Sequence, residues 1–205
     1  MRTLRLASIL LAAVLWSAAP AHAQDLELSG VKYAQSVTLA NVPLQLNGAG
    51  IRYKAVFKVY AAGLYLQTPA PTAEKVFAST GPRRLHVVML RKINASELAR
   101  LFTRGMEDNA KPGEMSKLIP GILKMVEVFG KRKDLNTGES FSVDFVPGMG
   151  TIILVNGERL AEPIKEPEFF NAMLRIWLGK SPADELLKKA LLGEAPAPTQ
   201  PGTFN

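Results

Sequence analysis

Arg52 and Tyr60 are the two side chains in this sequence best suited to recognising a small anion together. A guanidinium offers a planar fork of N–H donors that matches the two oxygens of a carboxylate, and it stays charged at any relevant pH. A phenol adds a neutral donor. The two residues are eight apart, so on one continuous strand they would lie roughly 26 Å from each other. They can share an anion only if the chain reverses near Tyr53 to Val56, a segment without glycine, asparagine or proline to signal a turn. The competing expectations are structural: Arg52 could serve a surface ion pair with Glu97 or Glu168, and Tyr60 could be a core tyrosine with a satisfied hydroxyl.

Other chemistries lack their residues. The chain has no cysteine, which removes thiol nucleophiles, disulfides and thiolate metal sites. Of its two histidines, His22 falls in the N-terminal segment and His86 stands alone on a strand, too few for a Ser-His-Asp arrangement or a zinc site. No catalytic residue, metal or cofactor is expected. The formal charge is +7, but the basic residues are scattered without interleaved stacking aromatics, so nucleic acid is not an expected partner. Asn47-Gly48-Ala49-Gly50 runs on into strand-like sequence rather than a helix, which argues against a dinucleotide site.

Arg2 and Arg5, the apolar run Leu6 to Trp16, and Ala21-His22-Ala23 form the pattern of a secretory signal peptide with cleavage after Ala23. The run is too short to span a membrane, so the mature chain is expected to be periplasmic or secreted without stable membrane insertion. It would have 205 − 23 = 182 residues and, without Arg2 and Arg5, a charge of 7 − 2 = +5. One domain is expected over residues 24–193, followed by a disordered Pro-rich tail at 194–205.

The elements that must position Arg52 and Tyr60 follow from periodicity. Short alternations from Val31 to Leu66, broken at Asn47-Gly48 and Gly50, predict strands and hairpins. A short helix is expected at 72–79, and a strand at Leu85 to Leu90 buried on both faces. Asn94 with Glu97 predicts an N-cap and partial capping box for a helix carrying Leu98, Leu101, Phe102 and Met106. A second helix, kinked or started late by Pro120, runs to Phe129. Phe141, Val143 and Phe145 alternate on a half-buried strand, and Asn156-Gly157 marks a hairpin. Pro167 opens a helix that Gly179 stops, and Ser181-Pro182 starts the last one, with Leu186, Leu187 and Leu191 apolar. Strands, two helices, strands, two helices argue for an α+β domain with an antiparallel sheet.

Two segments carry a resemblance. Leu46-Asn47-Gly48-Ala49-Gly50-Ile51-Arg52 followed by Phe57-Lys58-Val59-Tyr60-Ala61-Ala62-Gly63-Leu64-Tyr65-Leu66 resembles the signature of chalcone-isomerase-like proteins. Ile176-Trp177-Leu178-Gly179 resembles that family's helix end before its final helix. The resemblance implies an open-faced β-sandwich, with an antiparallel sheet, helices packed on one face, and a ligand cleft between them. Arg52 matches the family arginine, which meets the reacting oxygen in isomerases and the carboxylate in fatty-acid binders. Tyr60 stands where the isomerases have a catalytic threonine and looks like the fatty-acid-binding branch. Leu98 and Gly105 align with an isomerase tyrosine and asparagine, and Phe170 falls near a pocket Ser/Thr.

The expectation is therefore a non-catalytic domain binding a fatty acid or other small apolar carboxylate through Arg52, Tyr60, Leu98, Phe102 and Phe170. Leu101, Ile122, Met125 and Phe145 are expected to complete the wall. An intramolecular lyase or isomerase of the chalcone isomerase type, or an envelope scaffold needing no ligand, are the alternatives.

Overall fold

The computed structural model describes residues 24–194; the expected signal peptide and the Pro-rich tail from Ala195 lie outside the described residues. In chain order the elements are β1 (Leu26–Leu28), β2 (Val31–Tyr33), β3 (Ser36–Leu39), β4 (Val42–Lys54), β5 (Phe57–Leu66), α1 (Ala73–Ala78), β6 (Arg83–Met89), β7 (Ile93–Asn94), α2 (Ala95–Asp108), α3 (Met115–Gly130), β8 (Asp134–Leu135), β9 (Ser140–Val146), β10 (Gly150–Val155), β11 (Glu158–Arg159), α4 (Phe169–Leu178) and α5 (Glu185–Leu191). Seven strands form one antiparallel sheet in the order β11-β10-β9-β6-β5-β4-β3. Such pairing places alternate side chains on opposite faces. One face carries Tyr60, Ala62, Leu64, Leu85, Val87, Phe141 and Val143 into the main core with the helices. The other face carries Ala61 and Tyr65 into a smaller cluster closed by Tyr33 of the β1–β2 hairpin.

Several local features depart from the sequence expectation. Strand β4 runs unbroken through Asn47-Gly48-Ala49-Gly50, with a register shift that passes over Asn47. The two glycines serve a close approach instead. A Cβ on Gly48 would run into the Ala190 carbonyl, and one on Gly50 would sit 2.6 Å from the Ala190 Cβ, so α5 lies directly on the strand. Asn47 clamps the contact: its Nδ2 donates to the Leu191 carbonyl at 2.7 Å, and its Oδ1 accepts from the Ala70 N–H at 2.6 Å.

Strand β6 alternates strictly between buried and half-buried residues. His86 is on its outer side, edge-on to Tyr33 with ring centroids 6.2 Å apart. Burial and the neighbouring Arg84 hold its imidazole below the ordinary pKa. Asn94 does cap α2, accepting from the Glu97 N–H at 3.0 Å, but the Glu97 carboxylate turns to Arg100 rather than back to the cap. The reciprocal half of the capping box is absent. Helix α3 continues through Pro120. The last helix begins at Glu185 rather than at Ser181-Pro182. Asp184 is the better cap because its carboxylate accepts from both the Leu186 and Leu187 N–H groups. Leu186 faces solvent, whereas Leu187 and Leu191 are buried.

Candidate functional site

Arg52 and Tyr60 stand directly opposite each other on β4 and β5. The reversal between them is a two-residue turn at Ala55-Val56, closed by the Lys54–Phe57 pair. Ala55 takes the left-handed φ of +53° that glycine or asparagine would ordinarily fill. A second register shift leaves Val59 as the extra residue opposite Arg52 and Tyr53, and its carbonyl accepts from the Leu90 N–H at 3.0 Å. Cross-strand partners point to the same face, here the helix-covered one. The Arg52 guanidinium lies 5.6 Å from the centroid of the Tyr60 ring.

The glycines that seat α5 also set where the site opens. Gly48, Gly50 and Arg52 follow one another along the inner face of β4. Helix α5 covers the glycines, and its cap residue Asp184 accepts from the Tyr53 N–H at 2.9 Å. Arg52 therefore emerges beyond the helix start, beneath the loop Ser181-Pro182-Ala183. That loop, α2 and α4 enclose a cavity of about 180 Å³ lined by Arg52, Tyr60, Leu98, Leu101, Phe102, Arg104, Gly105, Asp108 and Ile176. Its floor is aromatic and close-packed: Phe102 packs on Phe129, Phe141 and Trp177 at centroid distances of 5.4–5.6 Å. Larger surface depressions of about 920 and 630 Å³ contain neither Arg52 nor Tyr60.

The polar groups of the cavity are only partly satisfied within the protein. The Nε of Arg52 is buried and has no hydrogen-bond partner, and among the described residues no carboxylate pairs with this guanidinium. The alternative ion pair with Glu97 does not form, since Glu97 is engaged by Arg100 at 2.6 Å, nor does one with Glu168, which precedes α4. Tyr60 is 2 % exposed, and its oxygen accepts a 2.8 Å hydrogen bond from Trp177 Nε1. Indole is a donor only, so the phenol proton remains unspent. Burial pushes the Tyr60 phenol up to about 12; Arg52 and the Trp177 hydrogen bond act in the opposite direction, and Asp184 adds to the rise. Tyr60 is thus a neutral donor at ordinary pH, not a base.

Arg52, Tyr60, Leu98 and Phe102 come together in this cavity, and so do Leu101 and Gly105. Phe170 does not. It packs against Phe145 at 5.5 Å, and the buried Arg83 guanidinium lies over both rings at 4.6 and 4.7 Å. Its position near the start of α4, two turns before Trp177, puts it beside a different part of the sheet. Ile122, Met125 and Phe145 likewise belong to the core rather than to the cavity wall. Sequence reasoning missed Trp177 as the group that fixes Tyr60; its signal was the Ile-Trp-Leu-Gly segment at a helix end. It also missed Arg104 and Asp108, which reach the cavity from the last turns of α2. Among the described residues there is no cluster of three or more His, Cys, Asp or Glu side chains able to hold a metal ion.

The profile of the family described as chalcone isomerase-like matches residues 24–193. No curated protein sequence matches the chain. Among solved structures, the fatty-acid binding protein AtFAP1 of Arabidopsis thaliana superposes with a TM-score of 0.66 at 14% identity, over 82% of this chain and 96% of that one. The shared architecture is a strongly curled, seven-stranded antiparallel half-barrel with helices packed against it.

Proposed function

This chain belongs to the chalcone isomerase-like family, and from that premise we propose that it is a carrier or sensor of a small apolar carboxylate, held at Arg52 and Tyr60. The observation that carries the reading is a buried guanidinium N–H without a protein partner, beside a phenol whose proton is unspent, in one cavity. A buried unpaired donor costs about 1–3 kcal/mol, and a bound carboxylate would satisfy it. The name of the Arabidopsis relative, a fatty-acid binding protein, agrees with this ligand class.

Cavity size refines the class. At about 30 Å³ per water-sized group, 180 Å³ admits a carboxylate and roughly three or four carbons. It falls below the roughly 300–1,000 Å³ of pockets that enclose drug-sized molecules. The aromatic floor blocks growth inward, so a longer tail would leave past Arg104, Asp108 and Ser181. A bicyclic phenolic substrate is too large for the enclosed part. Leu98 and Gly105 offer it no polar group, and Tyr60 is protonated where an isomerase reading would use it as a base. Residues 1–23 fit this role as a leader taking the domain to the periplasm.

The test begins with protein purified from the cell envelope fraction, where N-terminal sequencing is expected to find Gln24 first. Straight-chain carboxylates from two to twelve carbons are then titrated calorimetrically. Affinity should rise about fourfold per methylene over the first few carbons, from about 0.8 kcal/mol each, and then level off. Arg52→Ala should weaken binding roughly 10- to 100-fold, the worth of a hydrogen bond to a charged group. Binding that ignores Arg52→Ala would sink the assignment.

A further inference from the structure

The β4–β5 hairpin that carries Arg52 and Tyr60 ends in an unusual tip. Val56 is 84% and Phe57 58% exposed, and Tyr53 beside them is partly exposed. Lys54 and Lys58 flank the turn, and Arg91 from the loop after β6 holds its guanidinium 5.0 Å from the Phe57 ring centroid. The sequence has no Asp or Glu from residue 28 to residue 73. Among the described residues Lys54, Lys58 and Arg91 have no acid partner; Lys58 donates only to the Ser29 hydroxyl, at 2.9 Å. Glu97, whose carboxylate feels the Lys54 charge, is bonded by Arg100; Asp134 is paired with Lys92, and Asp184 accepts from the Tyr53 N–H and the start of α5.

We propose that this tip docks the protein on an anionic lipid bilayer, with Val56 and Phe57 entering the headgroup region and Lys54, Lys58 and Arg91 meeting lipid phosphates. Two apolar side chains are far too little surface for a specific protein interface, which needs on the order of 1,000 Å². They suit an interfacial anchor, where a small apolar element enters about 5–10 Å and basic side chains supply the rest of the attraction. A tyrosine at the boundary is the residue type such interfaces favour. Arg52 lies three residues from the turn, roughly 10 Å along the strand, so the docked tip brings the cavity mouth close to the headgroups. No described helix is long and apolar enough to cross a membrane, and this contact needs none. The inference adds a surface to the carboxylate reading without depending on it: vesicle binding and carboxylate binding are separate measurements.

The absence of cysteine from the sequence allows a position-specific test on the full chain. Single cysteines replace Val56, Leu123 on the exposed face of α3, or Glu162, and each carries an environment-sensitive fluorophore. Vesicles of phosphatidylglycerol and phosphatidylcholine should raise the signal at position 56 at least twofold and leave position 162 unchanged. Phosphatidylcholine alone should give no rise. Lys54→Ala combined with Arg91→Ala should weaken vesicle binding roughly 25-fold, at about fivefold per cation, and Phe57→Asp should abolish the response at position 56. No response at position 56 overturns the proposal, as does a response at position 123 in its place. An equal rise with soluble polyaspartate would also overturn it, because the partner would then be an acidic polymer and not a bilayer.

Discussion

Replacing Tyr60 by phenylalanine removes one oxygen and leaves the ring in place, so its consequences can be worked through. Trp177 Nε1 donates to that oxygen at 2.8 Å, and both side chains are buried. In Tyr60→Phe the indole N–H keeps its burial and loses its acceptor, at a cost of about 1–3 kcal/mol. For a domain of this size, 2 kcal/mol corresponds to a fall in Tm of about 4–8 °C. Trp177→Phe also loses the bond, together with packing against Phe102, and leaves the buried Tyr60 hydroxyl without a protein partner. The double variant should therefore be less destabilised than the sum of the singles by about 1–2 kcal/mol. Urea unfolding followed by circular dichroism measures this, since the signal does not rely on tryptophan fluorescence. In parallel, hexanoate affinity should fall roughly 10- to 30-fold in Tyr60→Phe, the worth of a hydrogen bond to a carboxylate. Two results would refute the reasoning. Strict additivity of the stability losses would mean the Trp177–Tyr60 bond contributes nothing. Wild-type hexanoate binding by Tyr60→Phe would remove the phenol from the site.

Two more expectations follow from the packing. Burial raises the Tyr60 phenol to about 12, and Tyr65 to about 12 with Arg84 opposing; burial also raises Tyr33. Phenols with folded pKa values above the unfolded value near 10 stabilise the fold fully below pH 10, and that stability is lost as pH rises through about 12. The phenolate absorbance of these three tyrosines, the exposed Tyr53 apart, should thus appear together with unfolding, and their titration in a folded protein would contradict their burial. Gly48→Ala should push α5 off β4 and cost about 1–3 kcal/mol, with increased amide exchange in Glu185–Leu191; unchanged exchange there would show that the close approach is dispensable.

The α+β architecture was readable because alternating strands and amphipathic helices have different periods, and the order of elements is that of the sheet and its cover. The Arg52–Tyr60 pairing was readable through the resemblance, not through the turn, because Ala55 adopts a conformation its residue type disfavours. Gly48 and Gly50 looked like strand breaks. Their reason is the backbone of Ala190, more than a hundred residues away, and no local pattern reports such a contact. Phe170 was misplaced for the same kind of reason: one face of α4 spans both the contact with Arg83 and, two turns on, the Trp177–Tyr60 bond. Trp177 was visible as a motif residue, but its partner was not. The pairing of half-buried Arg84 with buried Asp144 on the outer face, bonded through two contacts of 2.7 and 2.6 Å, had no warning, because Asp144 falls on the polar side of the alternation in β9.

The seating of α5 on the glycines of β4 also has a bearing on the order of assembly. The Asn47–Leu191 hydrogen bond closes a loop of 144 residues, whereas the hairpin bearing Arg52 and Tyr60 can form from neighbours in sequence. Distant closures of this kind slow folding because chain entropy must be lost before the contact is gained. During synthesis the guanidinium and the phenol would meet early and wait, roofless, until the final fifteen or so residues of the domain arrive. A chain halted before Arg175 would display the guanidinium to solvent, lack the indole that orients the phenol, and leave a bare glycine strip on β4 open to other partners.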